Sequence, residues 1–481
     1  MRESSDRDRA TAPLRLAGWG FAGLAVLLLA WPAVRVPMRL VLAYNEGWNA
    51  YHASHWRDAA ALYPEPTALL TNNYPPLSFV VVGILGDLLG DHVVAGRLVA
   101  LLALLAVAWA VARLVRLASG PPAAGLAAGG WLCACVAIYA SGYTAINDPQ
   151  WLAHALLAAG LLLALGQHPA AAAGLTVAAL LIKHTLLPLP LALTAVLVAT
   201  DRRLALRWLG WGCVWGGIGA AAAWLTYGPA LVRAILAAEG VRATSLANLA
   251  AVAWPMVPAV LPLLALVVLQ AWRAREPLAW FAALYGLLAL AFGLFIARAY
   301  GVAASAFLDL AIACALGGGL VLSAGWRGGR RRTVFVGAAV MALALLPGLP
   351  LRAYQQLQWL RTAPRDRADT EAAIAFLAAR PAPVLCENLA LCYWAGQPVA
   401  ADFFNTGQKM LGGAIPPAAL IEPVRARAFG AVQLERERPG NEATRRPGLG
   451  TNRLPVAVED AIREAYPTAT AFGRAGRVLT P

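Results

Sequence analysis

Two acids and two bases stand out in a chain that otherwise offers little to do chemistry with. Glu46 lies in "YNEGWNAYHA" (44–53), Asp148 in "YTAINDPQ" (143–150), Lys183 in "LLIKHTLLPLPLAL" (180–193), and Arg298 beside the tyrosine of "ARAY" (297–300). Each borders an apolar run. A charged group at such a place is expensive to keep, which makes it a functional candidate by default. Cations of this kind hold phosphate, and a carboxylate beside them can take a proton from an incoming nucleophile. Asn45, His52, Asn73 and Tyr74 add hydrogen-bonding groups, and "NNYPPLS" (72–78) adds a rigid Pro-Pro turn.

Each residue alone has a plainer reading. Glu46 can be a solvated loop carboxylate, Asp148 a helix cap, and Lys183 and Arg298 long side chains reaching for headgroups. Only a common location gives them a shared chemistry, so the elements that position them decide the matter.

Those elements are membrane spans. The 481 residues are 60% hydrophobic with mean hydropathy +0.62, more apolar surface than a soluble chain of this length can hide. The net charge of +14 comes almost wholly from arginine, with lysine only at 183 and 409. The arginines cluster at the ends of apolar runs, a pattern of membrane topology rather than of nucleic-acid binding. No cleavage site follows the first apolar run, which reads as an uncleaved span.

The positive-inside rule then threads about eleven spans, at 16–34, 94–117, 121–142, 151–166, 169–182, 185–199, 208–226, 251–271, 278–296, 301–322 and 333–349. Arg2, Arg7, Arg9 and Arg15 keep the N-terminus cytoplasmic, and "WRGGRRR" (326–332) is the strongest cytoplasmic anchor. The piece 75–90 is short and carries Asp87, so it is expected at the outer interface. Three units follow: a cytoplasmic segment 1–15, a membrane domain 16–349 with a first external loop 35–93, and an extracytoplasmic α/β domain 350–481. Within the last, strand-like runs surround Val384 and Val399, and "LERERPGNEATRRPGLGTNR" (434–453) reads as an exposed loop. Under this threading Glu46, Asp148, Lys183 and Arg298 all come to the outer side. That suits a lipid-linked phosphate donor.

Of six cysteines, Cys133, Cys135, Cys213 and Cys314 fall in apolar runs, where a thiol behaves as a small hydrophobe. Cys386 and Cys392 lie in the expected external domain; a disulfide and two free thiols are both open. No spacing resembles a zinc site, and use of a divalent metal stays open.

The stretches "NEGWNAYHA", "LYP", "NNYPPL", "GD" and "AGRLVALLALL", followed by "IND" and "LLIKHTLLPLPLAL", resemble the GT-C membrane glycosyltransferases. The likeness is to the branch of protein O-mannosyltransferases and lipid A aminoarabinose transferases, over about residues 14–350. It implies a multi-pass inner-membrane enzyme that takes sugar from a polyprenyl-phosphate donor to a glycan, lipid or protein hydroxyl on the periplasmic or exoplasmic side. Many members carry an acidic pair in the first external loop, which falls on Asn45 and Glu46, so only Glu46 can serve there as base. The second-loop acid matches Asp148, the lysine after the fifth span matches Lys183, and Tyr74 stands where relatives carry a basic residue or histidine. Rival readings are a transporter or flippase, which would place its charges near mid-membrane, and a non-catalytic membrane scaffold.

Overall fold

In lipid every backbone N–H and C=O must find its partner within its own segment, so apolar runs of this length become helices. The computed structural model describes residues 2–241, 243–435 and 445–481, with the backbone alone described at 2–9 and 237–241. Helix α1 (Arg2–Val34) leads into a loop that carries α2 (Tyr44–Ser54), α3 (Ala59–Leu62) and α4 (Leu77–Leu89). The bundle continues with α5 (His92–Leu117), α6 (Pro122–Tyr139), α7 (Gln150–Leu165), α8 (Pro169–Leu180) and α9 (Pro188–Thr200). Then come α10 (Arg202–Val241), α11 (Leu246–Ala253), α12 (Val257–Ala274), α13 (Pro277–Ile296), α14 (Leu308–Arg327) and α15 (Arg331–Leu345). Helix α16 (Leu349–Ala378) leads out of it, bent by 51° from α15.

Among the described residues seven helices are long and apolar enough to cross a bilayer, or eight with α15 and α16 as one bent span. Four shorter apolar helices, α4, α7, α8 and α9, accompany them. At 1.5 Å per residue the 16 residues of α7 reach only about 24 Å, short of a hydrocarbon core of about 30 Å. The run 208–226 proves to be part of the longer α10, whose backbone breaks at Gly228 (φ 59°). The stretch between the expected spans 208–226 and 251–271 is largely helical, through the rest of α10 and α11.

Helix α14 is the hub. It is almost wholly buried, where α1 is buried over less than half of its span, and it packs on α6, α12, α13 and α15. Gly317, Gly318 and Gly319 let Val267, Met341 and Val115 approach its backbone closely. Small residues of this kind are what allow helices to pack tightly where lipid offers no hydrophobic drive.

The C-terminal part forms a small domain around a four-stranded sheet of β1 (Leu385–Cys386), β2 (Val432–Leu434), β3 (Thr468–Ala471) and β4 (Arg477–Thr480), in the order β1-β2-β4-β3. β1 and β2 are parallel, with Leu385 opposite Val432; β4 is antiparallel to both its neighbours. Helices α17 (Leu389–Trp394), α18 (Phe403–Leu411), α19 (Ala418–Arg425) and α20 (Val456–Ala465) surround the sheet. The strand-like character around Val384 and Val399 appears as a single parallel bridge between those two residues. Cys386 and Cys392 form a disulfide that ties β1 to α17. Closing so short a loop is worth about 2 kcal/mol in the chain-entropy account.

Candidate active site

The first loop is held by one residue after another of "YNEGWN". Tyr44 donates its hydroxyl to Asp402 of the C-terminal domain (2.6 Å) and accepts from the Phe404 N–H (2.9 Å). Asn45 donates to Asp148 (2.8 Å). Glu46 takes both bonds of a fork from Arg97 on α5 (2.6 Å each) and a third from the Asn147 N–H (3.1 Å). Gly47 lies so close to Leu389 and Ala390 of α17 that a Cβ would stand 1.9 Å from the Ala390 nitrogen. Trp48 donates to the Thr71 carbonyl (2.9 Å), and Asn49 to the Asn147 carbonyl (2.8 Å). Five of these six residues thus join the first loop to the second loop, to α5 or to the C-terminal domain, and Trp48 ties the loop to itself.

These attachments frame a cavity of about 730 Å³, a size typical of ligand sites. Asn45, Asn73, Tyr74, Asp148, Lys183 and Arg298 all line it. Asp148 accepts from the Gln150 N–H at the start of α7 (3.0 Å), so it caps that helix and faces the cavity at once. Lys183 donates to the side-chain oxygen of Gln150 and lies 5.6 Å from the centre of the Tyr74 ring. Gln150 is itself fixed by a bond to the Ser305 carbonyl (3.0 Å). Arg298 donates its Nε to the Phe295 carbonyl (3.1 Å), and its guanidinium lies 4.6 Å from the centre of the Phe295 ring. The arrangement sets a carboxylate and two cations around one space.

Two of the expected site residues lie off the cavity wall. Glu46 was expected to meet substrate, yet it is 1% exposed, does not line the cavity, and spends its carboxylate on Arg97. His52 was expected in the substrate loop and is likewise off the cavity wall, fully buried with Nε2 at 3.3 Å from the Thr71 carbonyl. Burial pushes its imidazole down to about 3, so it stays neutral at ordinary pH.

Other residues went unnoticed in the sequence. Asp309, in the first turn of α14, lines the cavity, accepts from the Tyr285 hydroxyl (2.6 Å) and lies 3.6 Å from His154. The signal was present, as an acid inside an apolar run. From the C-terminal domain, Gln408, Arg445, Arg446 and Arg453 also reach the cavity. The segment 434–453, expected as an exposed loop, lies outside the described residues at 436–444. Its later part lines the cavity, and Arg453 stacks over Tyr44 at 4.2 Å while pairing with Glu387 and Glu435. Among the described residues no group of three or more His, Cys, Asp or Glu is placed to hold a metal.

No protein-family model matches the chain, and no curated protein matches it either. Solved structures do. ArnT from Cupriavidus metallidurans in the apo state superposes with a TM-score of 0.56 at 14% identity, covering 96% of this chain and 97% of that one. The same protein bound to undecaprenyl phosphate gives 0.52 at 12% identity, with 96% and 98% covered. Coverage is nearly complete in both directions. The chain has the GT-C fold, C-terminal domain included, and is a multi-pass membrane protein.

Proposed function

We propose that this protein is a membrane glycosyltransferase that moves a sugar from a polyprenyl-phosphate donor to an acceptor hydroxyl. The observation that carries the reading is the cavity itself, lined by Asp148, Lys183 and Arg298 together. It belongs to a fold whose solved neighbour is ArnT bound to undecaprenyl phosphate.

In this reading Asp148 takes the proton as the acceptor oxygen bonds to the anomeric carbon. The bond from that carbon to the phosphate oxygen breaks, and polyprenyl phosphate leaves. The leaving phosphate gains a negative charge as it departs. Lys183 and Arg298 therefore bind it more strongly in the transition state than in the donor, which is the condition for catalysis. Gln150 and Tyr74 hold the ammonium in place beforehand, as preorganisation requires. Glu46 positions rather than reacts: paired with Arg97, it fixes Asn147, the neighbour of Asp148.

The reading puts the site on the extracytoplasmic side of the inner membrane, with the N-terminus cytoplasmic. The arginine anchors support that orientation. So does the Cys386–Cys392 disulfide, of a kind that persists in oxidising compartments. The test is transfer from radiolabelled undecaprenyl-phosphate sugars by the purified chain in proteoliposomes, with lipid, glycan and peptide acceptors. Label should pass to an acceptor and fail to do so in Asp148→Asn. Movement of intact donor across the bilayer without sugar transfer would favour the flippase reading instead.

A further inference from the structure

Behind the cavity wall lies a second concentration of positive charge that the proposed reaction does not use. Arg35, just past the end of α1, and Arg352, in the first turn of α16, are 3% and 1% exposed. Both guanidiniums lie against the same indole, Trp359, at 5.6 Å and 4.4 Å from its centre. Arg35 makes one bond, from Nη2 to the Thr144 carbonyl (2.9 Å). Its Nε and all three nitrogens of Arg352 have no hydrogen-bond partner among the described residues. Among the described residues the carboxylate within electrostatic reach of Arg35 is Glu46, already committed to Arg97. Among the described residues the two buried guanidiniums therefore share no counter-charge.

Such an arrangement is costly. A buried charge with no partner destabilises by several kcal/mol, and a guanidinium fork fits phosphate oxygens two at a time. The surroundings say where that phosphate comes from. Leu27 and Val34 on α1 and Leu351 and Tyr354 on α16 are exposed, and Gln356 joins the two helices through the Leu27 carbonyl (3.0 Å). Acyl chains can lie along these apolar faces with the headgroup at the arginines. None of Arg35, Arg352 and Trp359 lines the cavity.

We propose that Arg35 and Arg352, backed by Trp359, bind the phosphate of an anionic membrane lipid at a site separate from the donor cavity. Through the Arg35–Thr144 bond the lipid also steadies the loop that carries Asp148. The proposal does not depend on the transferase reading.

The test uses the full chain, purified and delipidated in detergent, with three probes: dioleoyl phosphatidylglycerol, dioleoyl phosphatidylcholine and inorganic phosphate. Phosphatidylglycerol should raise Tm and bind saturably, with phosphatidylcholine far weaker. Arg352→Leu should raise the lipid-free Tm, because it removes an unpaired buried charge, and lower phosphatidylglycerol affinity roughly tenfold or more. Arg352→Lys keeps a charge but loses the fork, and should fold normally while losing most of that affinity. Lys183→Ala should leave the phosphatidylglycerol response intact. Unchanged affinity in both Arg352 variants would overturn the site, as would equal binding of phosphatidylcholine. Full protection by inorganic phosphate alone would overturn the lipid as its source and leave a phosphate site.

Discussion

Replacing Asp148 by Asn separates its two jobs. The carboxylate caps α7 through the Gln150 N–H at 3.0 Å, and it accepts from Asn45 at 2.8 Å. An amide oxygen can keep the cap, and at most one neutral hydrogen bond is lost or rearranged, worth about 1 kcal/mol. The fold should therefore survive. The proton acceptor is gone, however, and a positioned general base contributes about 10²–10⁴ in rate. At 1.36 kcal/mol per factor of ten that is about 3–5 kcal/mol of barrier, well above the structural cost. Turnover should fall by that factor while the donor KM barely changes, since Lys183 and Arg298 are untouched. Sugar transfer measured over a range of donor concentrations, with Tm recorded on the same preparation, gives both quantities. An Asp148→Asn enzyme with near-normal turnover would refute the role. Asp309, which faces the same cavity, would then be the leading base.

Four further outcomes follow from the same geometry. Glu46→Gln leaves Arg97 buried without its counter-charge and should cost about 3–5 kcal/mol of stability, read as a lowered Tm; a variant with normal Tm would show that the pair is not structural. Lys183→Ala should lower kcat/KM for the donor roughly 10–100-fold, the worth of a charged hydrogen bond, without lowering Tm; an unchanged kcat/KM would place the phosphate elsewhere. Burial lifts the Glu387 carboxyl from 4.5 to about 7 against the pull of Arg453, with Glu435 adding to the rise. Its folded form thus holds a proton that the unfolded chain releases. That contribution to stability is full below about pH 4.5 and is lost as pH rises to about 7. Thermal unfolding across this window should show the decline in the native protein and a flatter profile in Glu387→Gln. A cysteine placed at Gly328 in a Cys213-free background should resist an impermeant thiol reagent in intact cells, and one at Glu422 should react; the reverse pattern would invert the proposed orientation.

Much of this architecture was legible because lipid imposes a strong pattern. Long apolar runs bounded by arginine give the helices, and their alternation gathers Asn45, Asn73, Tyr74, Asp148, Lys183 and Arg298 around one space. Helix ends were harder. The break in α10 at Gly228 leaves hydrophobicity continuous on either side, so composition marks no boundary there. The pairing of Glu46 was not legible for a different reason. Its partner Arg97 lies 51 residues away in an apolar run, and sequence alone does not say which of two nearby carboxylates a buried arginine will take. Asp309 was hidden by its apolar neighbours. The cavity-lining arginines of the C-terminal domain were hidden by their resemblance to an ordinary polar loop.

The bond from Tyr44 to Asp402 has a consequence for how the protein is made. The two partners are separated by 358 residues, so the first loop emerges long before the group that secures it. At about 5–20 residues per second, Tyr44 waits roughly 20–70 s for Asp402 to be synthesised. Gly47 waits similarly for the α17 backbone it packs against. Until the C-terminal domain has arrived and folded, α2 lacks these anchors and Asn45 has no fixed platform from which to hold Asp148. The nascent chain is thus inserted first and made competent last. A ribosome that stops before residue 402 leaves a membrane protein with its helices in place and its cavity without a roof.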